Sequence, residues 1–370
     1  MQNMASHLAD RFDEVLDRLP PDLDLDALAY RTKAIERRRK IDTGSTLLRM
    51  ALARGPGGLS LSATATWAMM LGFPSLSDPA VKYRLDKAAG FLNAVMTHQL
   101  AAKSAGGSLH WPGRVLRASD GTCISKRASK GTDWRVHAVY DLGRAGFSHL
   151  DLTDAHGGEA IDRGAPVAGE VRIGDRNYAT VASLHRFREE SANTADFVVR
   201  IRWQSFSLRR PDRSKFDLIE HLGTLPQDMA PQEVTVHATS GPLNPPWPLC
   251  LIIRRKRPEA TEATRRELLK AASRKQRAID PRSLVAAEFL ILATSLPVKG
   301  YPAEEVLAVY RLRWQIELAF KRLKSLLHID RLPTYTDAAS RSWLYAHLIM
   351  ALLTDDLSQE VLESFPSGPD

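Results

Sequence analysis

The chain has 370 residues, of which 44% are hydrophobic, and its 51 Lys and Arg outnumber its 43 Asp and Glu, so the net charge is +8 at pH 7. A chain of this length usually divides into two or three domains, and its basic balance favours an anionic partner, nucleic acid before membrane. Cys123 and Cys250 stand outside any C-x-x-C pair or zinc spacing, and no apolar run reaches the about 18 residues of a membrane span. These features exclude a disulfide scaffold, a structural zinc site and a membrane protein, and they predict a cytoplasmic protein.

The N-terminal region has helical patterns. A helix over Leu59–Met70 is followed by the breaker Gly72-Phe73-Pro74, and Ser77 then caps a second helix that carries Lys82 and Arg84. This outline is typical of a helix-turn-helix in which the two basic residues contact DNA. The spacing alone fits a plain helical bundle equally well.

Short strands replace helices after residue 106. The first is predicted over Arg114–Ser119 and ends at Asp120, and the fourth begins at Gly169 and ends at Asp175. The other predicted elements are strands at 134–142, 147–153 and 197–203 and helices at 156–163 and 179–190. Three strands, helix, strand, helix, strand, with an Asp ending the first and fourth strands, is the order of the ribonuclease H-like fold.

Both acids also have a purely structural interpretation. An Asp that precedes Gly, as Asp120 does, is most often a turn residue. Asp141, Asp151, Asp154 and Asp162 lie in the same region. The residues by themselves do not remove Asp154 as the second acid.

Residues 204–295 have no counterpart in a minimal ribonuclease H-like domain, and we expect an inserted, mainly β domain here. Strands are predicted at 217–222, 233–239, 248–254 and 289–295, and a basic helical hairpin at 260–275. The segment concentrates positive charge, for example in the run Arg254 to Arg257, which favours contact with DNA phosphates. A solvated basic surface is the alternative.

One long helix is predicted over Tyr301–His328, a stretch without Gly or Pro after Pro302. At about 100° per residue, four of its polar residues fall within roughly 60° of arc. They are Tyr310, Arg313, Glu317 and Lys324. A carboxylate beside two cations and a phenol suits metal and phosphate chemistry, although a solvated face with ordinary ion pairs fits the same spacing.

The spacing of these four residues resembles the Y-R-E-K signature of the DDE transposases of insertion-sequence family four. R-A-S-D-G-T, ending at Thr122, is similar to that family's first-Asp motif, and G-D-R-N-Y, ending at Tyr178, is similar to its second. S-D-P-A-V-K-Y-R-L, which starts at Ser77, is similar to a segment of the helical DNA-binding region of these enzymes.

The resemblance implies a DNA transposase that binds the ends of its element and carries out metal-dependent cleavage and strand transfer. The implied metal ligands, for two Mg²⁺ ions with Mn²⁺ able to substitute, are Asp120, Asp175 and Glu317. The implied phosphate contacts are Tyr310, Arg313 and Lys324. Phe289 stands where the family has a Trp that stacks on a flipped base, and it is the base-stacking candidate here.

The implied partners are transposon-end DNA and target DNA, bound by a homodimer at the bacterial nucleoid, with no membrane involved. Two alternatives stay open. One is a nuclease or resolvase of the same fold that cuts without joining, and the other is a domesticated protein that only binds DNA.

The predicted fold class is α/β, a ribonuclease H-like mixed sheet with helices, interrupted by a mainly β insertion and preceded by an α-helical DNA-binding region. The predicted domains are the DNA-binding region 1–105, the first part of the catalytic domain 106–203, the inserted domain 204–295, the final catalytic helix 296–335 and a helical tail 336–370.

Overall fold

The computed structural model describes residues 13–14, 16–37, 40–103, 111–126, 129–239, 246–329, 331–334 and 336–364. The chain forms two compact units. Unit one consists of Met1–Ala105, Gly121–Gly157 and Glu317–Asp370, and unit two of Gly106–Asp120 and Gly158–Ile316. The predicted boundary between residues 105 and 106 lies outside the described residues.

The helices bounded within the described residues follow here in chain order. They are α1 (Leu25–Arg31), α2 (Gly44–Arg54), α3 (Leu61–Met70), α4 (Asp78–Lys87), α5 (Ala89–Ala101), α6 (Val181–Glu190), α7 (Leu218–Thr224), α8 (Pro258–Arg274), α9 (Pro281–Ala286), α10 (Ala303–Arg311), α11 (Trp314–Leu327) and α12 (Asp337–Ser364). The strands are β1 (Val115–Lys126), β2 (Trp134–Asp141), β3 (Gly146–Asp154), β4 (Glu170–Gly174), β5 (Asp196–Arg200), β6 (Ser207–Arg209), β7 (Gln232–Thr239), β8 (Trp247–Arg255), β9 (Phe289–Thr294) and β10 (Arg331–Leu332).

Unit one is organised around α12. Leu344, Leu348 and Leu352 of this helix are fully buried, and their four-residue spacing puts them on one face. The helix packs against α2, α4 and α5. The segment predicted as a helical tail therefore supplies much of the core of this unit.

Both helices of the predicted helix-turn-helix form. The Ser60 hydroxyl caps α3 by accepting a hydrogen bond from the Ala63 N–H at 3.0 Å, and Gly72 after the helix has φ +85°. The next helix, α4, packs against α3, although Ser77 makes no side-chain capping bond. The two helices and their turn are confirmed, and the DNA contact stays a prediction.

The sheet of unit two is mixed, with the order β1-β4-β5-β9-β8-β7-β6. Strands β1, β4 and β5 are parallel to one another, and each later neighbour is antiparallel to the strand beside it. In unit one, β2 and β3 form an antiparallel hairpin and β10 pairs with the end of β1. A hairpin followed by parallel strands is the ribonuclease H-like arrangement, so the predicted fold class is confirmed.

One apolar core joins a large part of unit two. It joins side chains from β5 and α6, such as Phe197 and Phe187, to side chains from β8 and β9, such as Leu251 and Ile291. The strands predicted to form an insertion thus pack on the same core as β5.

Several predicted elements were wrong. The strand β1 does not end at Asp120 but continues to Lys126, and residues 156–163 form turns rather than a helix. The predicted strand at 217–222 is the helix α7, because the Asp217 carboxylate accepts hydrogen bonds from the N–H groups of Ile219 and Glu220 and caps a helix. The predicted hairpin at 260–275 is the single helix α8, which has Pro258 at its first position.

The single helix predicted over Tyr301–His328 was also wrong. It is interrupted between α10 and α11, where Leu312 and Arg313 bond to carbonyls three residues back instead of four. Neither Gly nor Pro lies at the interruption, so no residue-level signal marks it. Tyr310 therefore lies in the last turn of α10, Arg313 lies in the interruption, and Glu317 and Lys324 lie on α11.

No helix among the described residues is long and apolar enough to span a membrane.

A buried ionic cluster ties the start of β4 to the preceding loop. The Glu170 carboxylate is fully buried, and it accepts hydrogen bonds from Arg172 at 2.5 Å and from Arg117 at 3.3 Å. Arg172 also donates to the carbonyls of Ile161, Arg163 and Gly164. The loop that approaches the end of β4 is held in this way.

We predict that Glu170→Gln lowers the free energy of unfolding by about 3 kcal/mol, since it removes the carboxylate that neutralises the fully buried Arg172 guanidinium. Urea denaturation measures the change. The matched control is Asp280→Asn, the same carboxylate-to-amide change in an exposed pair with Arg282, where Asn keeps the helix cap. Equal losses in the two variants would contradict the structural role of the buried cluster.

Candidate active site

Asp120 and Asp175 lie side by side on neighbouring parallel strands of unit two. β1 pairs with β4 in a register that sets Ala118 opposite Ile173. Continued by two residues, this register sets Asp120, which lies within β1, opposite Asp175, the first residue after β4. Neighbouring strands are about 4.8 Å apart, and paired residues project from the same face, so the two carboxylates leave the sheet together.

The Asp175 side chain is oriented by its own turn. The Asn177 N–H donates to Asp175 Oδ1 at 2.7 Å, and the Tyr178 N–H donates to the Asp175 carbonyl at 3.1 Å. Arg202 braces this turn through a 2.9 Å hydrogen bond to Asn177 Oδ1. Such an Asx-turn restricts the carboxylate to one orientation before any ligand arrives.

Tyr178 supports the turn from below. It is 1% exposed, and its hydroxyl has no hydrogen-bond partner among the described residues. Burial raises the pKa of Tyr178, and the charges of Asp120, Glu159 and Asp175 act in the same direction. The phenol therefore stays neutral beside both acids. The sequence motif contained this residue, but nothing in its spacing marked it as a supporting group.

Arg200 continues the row formed by the two acids, and it was not among the site residues predicted from the sequence. β4 pairs with β5 so that Gly174 lies opposite Val199, which sets Asp175 opposite Arg200. Burial lowers the pKa of Arg200, and Tyr310, Arg176, Asp175 and Arg313 are the charged or titratable groups that influence it. A cation directly after the apolar run Phe197 to Val199 was the signal available in the sequence.

Tyr310 and Arg313 face this row from the end of α10. The Arg313 guanidinium donates a hydrogen bond to the Tyr310 phenol. Burial raises the pKa of Tyr310, although Arg313 and Arg200 act in the opposite direction. The phenol is protonated at neutral pH and can donate a hydrogen bond to an anion.

Glu317 and Lys324 belong to unit one, where both lie on α11. Glu317 is exposed and Lys324 is half-buried. No group of three or more His, Cys, Asp or Glu side chains among the described residues is arranged to hold a metal ion. The triad of Asp120, Asp175 and Glu317 stays a prediction.

Known proteins are similar to this chain over most of its length. The transposase DDE domain family matches residues 111–353. The chain belongs to the DDE transposases of insertion sequences. It is 36% identical over 359 residues to InsL of insertion sequence element IS186A from Escherichia coli, with 96% of both chains covered. It is 36% identical over 360 residues to the transposase for IS421 from E. coli, again with 96% of both covered.

Two further similarities are weaker, the first because it is short and the second because the sequence identity is low. A 79-residue segment, 21% of this transposase and 17% of the relative, is 37% identical to the transposase for IS231F from Bacillus thuringiensis. The piggyBac transposase, solved in a synaptic complex with hairpin DNA, matches 93% of this chain and 73% of its own at 9% identity and a TM-score of 0.46.

Family membership confirms the predicted enzyme class. The transposase acts on DNA, and DNA cleavage and strand transfer are the general activity of its family. Enzymes of this family use divalent metal ions.

Lys82 and Arg84, the predicted DNA contacts of the transposase, lie on α4 in unit one. Lys82 is exposed and forms a 2.5 Å ion pair with Asp86 one turn later, while Arg84 is half-buried. The pair with Asp86 is of the exposed i, i+4 type, which is weak enough for Lys82 to exchange partners.

Phe289 is only 4% exposed, and it packs in the core of unit two with the Arg255 guanidinium 4.5 Å from its ring centre. A base could stack on this ring only if Arg255 moved. The base-stacking role stays a prediction, and the observed packing does not favour it.

We predict that Gly174→Ala destabilises the transposase by about 1–3 kcal/mol, because a Cβ there would lie 2.9 Å from Tyr178 Cβ and 3.1 Å from Ile161 Cδ1. The turn that carries Asp175 has to shift, so cleavage falls as well. Urea denaturation and a DNA-nicking assay measure the two effects. Gly223→Ala is the control, since a Cβ at that helical position meets nothing within 4 Å; if the two substitutions have equal effects, the close packing under Asp175 is unimportant.

Proposed function

We propose that this transposase binds the ends of its own insertion sequence, cuts the DNA there and joins the ends to target DNA. The observation that carries the proposal is the register of β1, β4 and β5, in which two acids and one arginine form a row. Tyr310 and Arg313 add two anion-binding groups beside that row. Two acids next to three side chains that can donate hydrogen bonds to a phosphate suit phosphoryl transfer on DNA.

The acids have the chemistry of a divalent metal site. Asp120 and Asp175 supply hard oxygen ligands from adjacent strand positions, which suits Mg²⁺, with Mn²⁺ as a substitute. We propose that Glu317 completes the set and that two ions bind. When bound, such ions lower the pKa of an attacking water or hydroxyl and neutralise charge on the leaving oxygen.

The side chains of the transposase then orient the phosphate. Arg313 offers a planar fork to two phosphate oxygens, and the neutral Tyr310 phenol donates one further hydrogen bond. Arg200 supplies positive charge directly beside Asp175, and we propose that Lys324 adds a point charge to the same phosphate. This arrangement holds a phosphodiester in line with the nucleophile before reaction.

DNA recognition is assigned by this proposal to the helical region 1–105, with Lys82 and Arg84 on the backbone of the transposon end. An element has two ends and each needs an active site, so a homodimer in the DNA complex, acting at the nucleoid, is the simplest assembly. An enzyme that cuts but does not join would show cleavage of an end without strand transfer into a target plasmid.

We expect Asp120→Asn to lower the rate of end cleavage in Mg²⁺ by on the order of a thousandfold while end binding stays near the wild-type value, because an amide is a poor ligand for the ions. Lys82→Ala combined with Arg84→Ala should instead weaken binding. Gel-shift titration and single-turnover cleavage separate the two effects.

Asp154→Asn is the matched control for Asp120→Asn. The Asp154 carboxylate accepts a 2.9 Å hydrogen bond from the His156 N–H, which an amide oxygen also accepts, so we expect normal cleavage. Inactive Asp154→Asn together with active Asp120→Asn would refute the assignment of the acids.

We also expect Arg313→Lys to slow single-turnover cleavage of pre-bound ends by about tenfold or more, roughly 1.4 kcal/mol of barrier, since an ammonium cannot reproduce the guanidinium fork. Thermal unfolding should not change. The control is Arg311→Lys at the exposed last residue of α10, two positions before Arg313. An unchanged rate for Arg313→Lys would indicate that Tyr310 and Arg313 have only a structural role.

A further inference from the structure

The basic run Arg254 to Arg257 begins at the end of β8. Some of its charges are neutralised within unit two, and others are not. Arg254 pairs with Glu304 at 3.2 Å, and Arg255 pairs with Glu288 at 2.5 Å. The second Glu288 oxygen is taken by Arg265 at 2.6 Å. Lys256 lies in the middle of this run without a carboxylate partner among the described residues.

The contacts of Lys256 are neutral ones. Its ammonium donates to the Ala287 carbonyl at 2.9 Å and to Thr264 Oγ1 at 3.2 Å. Two of its three donors are thereby fixed, and the side chain is held half-buried. The third donor has no partner within the part of the chain that the structure describes.

Two more cations in the same unit also have no carboxylate partner among the described residues. The side chains of Arg176, which is exposed, and Arg200, which is half-buried, make no hydrogen bond or ion pair within the described ranges. The strands β4, β5 and β8 run in the same direction, because β9 lies antiparallel between β5 and β8. Arg176, Arg200 and Lys256 therefore all follow strands that end at one edge of the sheet, the edge that carries Asp120 and Asp175.

Arg200 and Arg176 lie close enough to Lys256 for their charges to act on its ammonium. Burial, followed by the charges of Arg200 and Arg176, lowers the pKa of Lys256 to about 8. Arg255, Arg265 and Glu288 are the sequence neighbours of Lys256 and of its contacts Thr264 and Ala287, and these three form ion pairs with one another. Like charges that are close together and partly buried are unfavourable unless an anion neutralises them.

We propose that Arg176, Arg200 and Lys256 form a cationic cluster that binds backbone phosphates of the DNA strand leading to or from the Asp120–Asp175 pair. This inference rests on the proposed function, since it extends the DNA path of the same site. DNA backbone is favoured over free phosphate because the cluster spans three strand ends beside two acids that repel a small anion.

The cluster makes DNA binding depend on pH. The Lys256 contact exists only while the amine is protonated, and a bound phosphate raises its pKa again. Affinity therefore falls as pH rises through about 8. If the bound amine stays protonated, the Kd at pH 9 is about tenfold higher than at pH 7.

Fluorescence anisotropy tests this with the full-length protein and a fluorescein-labelled duplex of arbitrary sequence, in Ca²⁺ at fixed ionic strength, at pH 7 and pH 9. We expect the wild-type Kd to rise about tenfold between the two values. Lys256→Gln should bind more weakly at pH 7, show no pH dependence and lose about 0.9 from the salt slope. Lys256→Arg should bind well at both pH values.

Arg254→Gln is the matched control, since it removes the same charge two residues away from a group that is already paired. It should keep the wild-type pH dependence. The proposal is overturned if Lys256→Gln retains that dependence or if the two Gln variants lose affinity equally. It is also overturned if inorganic phosphate, replacing chloride at equal ionic strength, abolishes the difference between wild type and Lys256→Gln.

The outcome is independent of catalysis. The binding measurement contains no cleavage step, so failure of the cluster leaves the cleavage results for Asp120→Asn unaffected. Loss of those cleavage results would in turn leave the pH dependence of binding unchanged.

Discussion

The parallel register of β1, β4 and β5 is the constraint on which the rest of the site depends. Backbone hydrogen bonds between these strands set Asp120, Asp175 and Arg200 in one row, although they are far apart in the chain. Because side-chain direction alternates along a strand, a slip of one residue would move an acid to the opposite face. The Asp175 turn and the close packing of Gly174 on Tyr178 hold the end of β4 in this register.

Charge compensation distinguishes two kinds of buried cation in unit two. Arg172 is fully buried, but Glu170 and three backbone carbonyls satisfy it, so its role is to hold a loop. Arg200 and Lys256 are only half-buried, and neither has a carboxylate within ion-pair distance among the described residues. The folded state keeps this unfavourable charge at the edge where DNA phosphates would arrive, and phosphates would neutralise it.

The break between α10 and α11 changes where the four residues of the Y-R-E-K spacing lie. On one continuous helix, four residues would share a fixed angular range. The structure instead joins Tyr310 to Arg313 by a hydrogen bond at the end of α10 and puts Glu317 and Lys324 on the following helix. The four residues of the signature spacing therefore do not share one continuous helix.

Local features of the sequence indicated the family and the fold class and led to the prediction of Asp120 and Asp175 as the site acids, because capping residues, strand alternation and short motifs act over a few neighbouring residues. Tertiary structure alone decided the continuation of β1 past Asp120, the helix at α7, the break before α11 and the burial of Phe289. It also decided which cations are paired. Nothing in the basic run predicts which of Arg254 and Lys256 is neutralised, and only the chain packed around them brings Glu304 to Arg254 and no acid of the described residues to Lys256. Pairing of this kind depends on contacts across tens of residues, and composition and periodicity carry no information about such contacts.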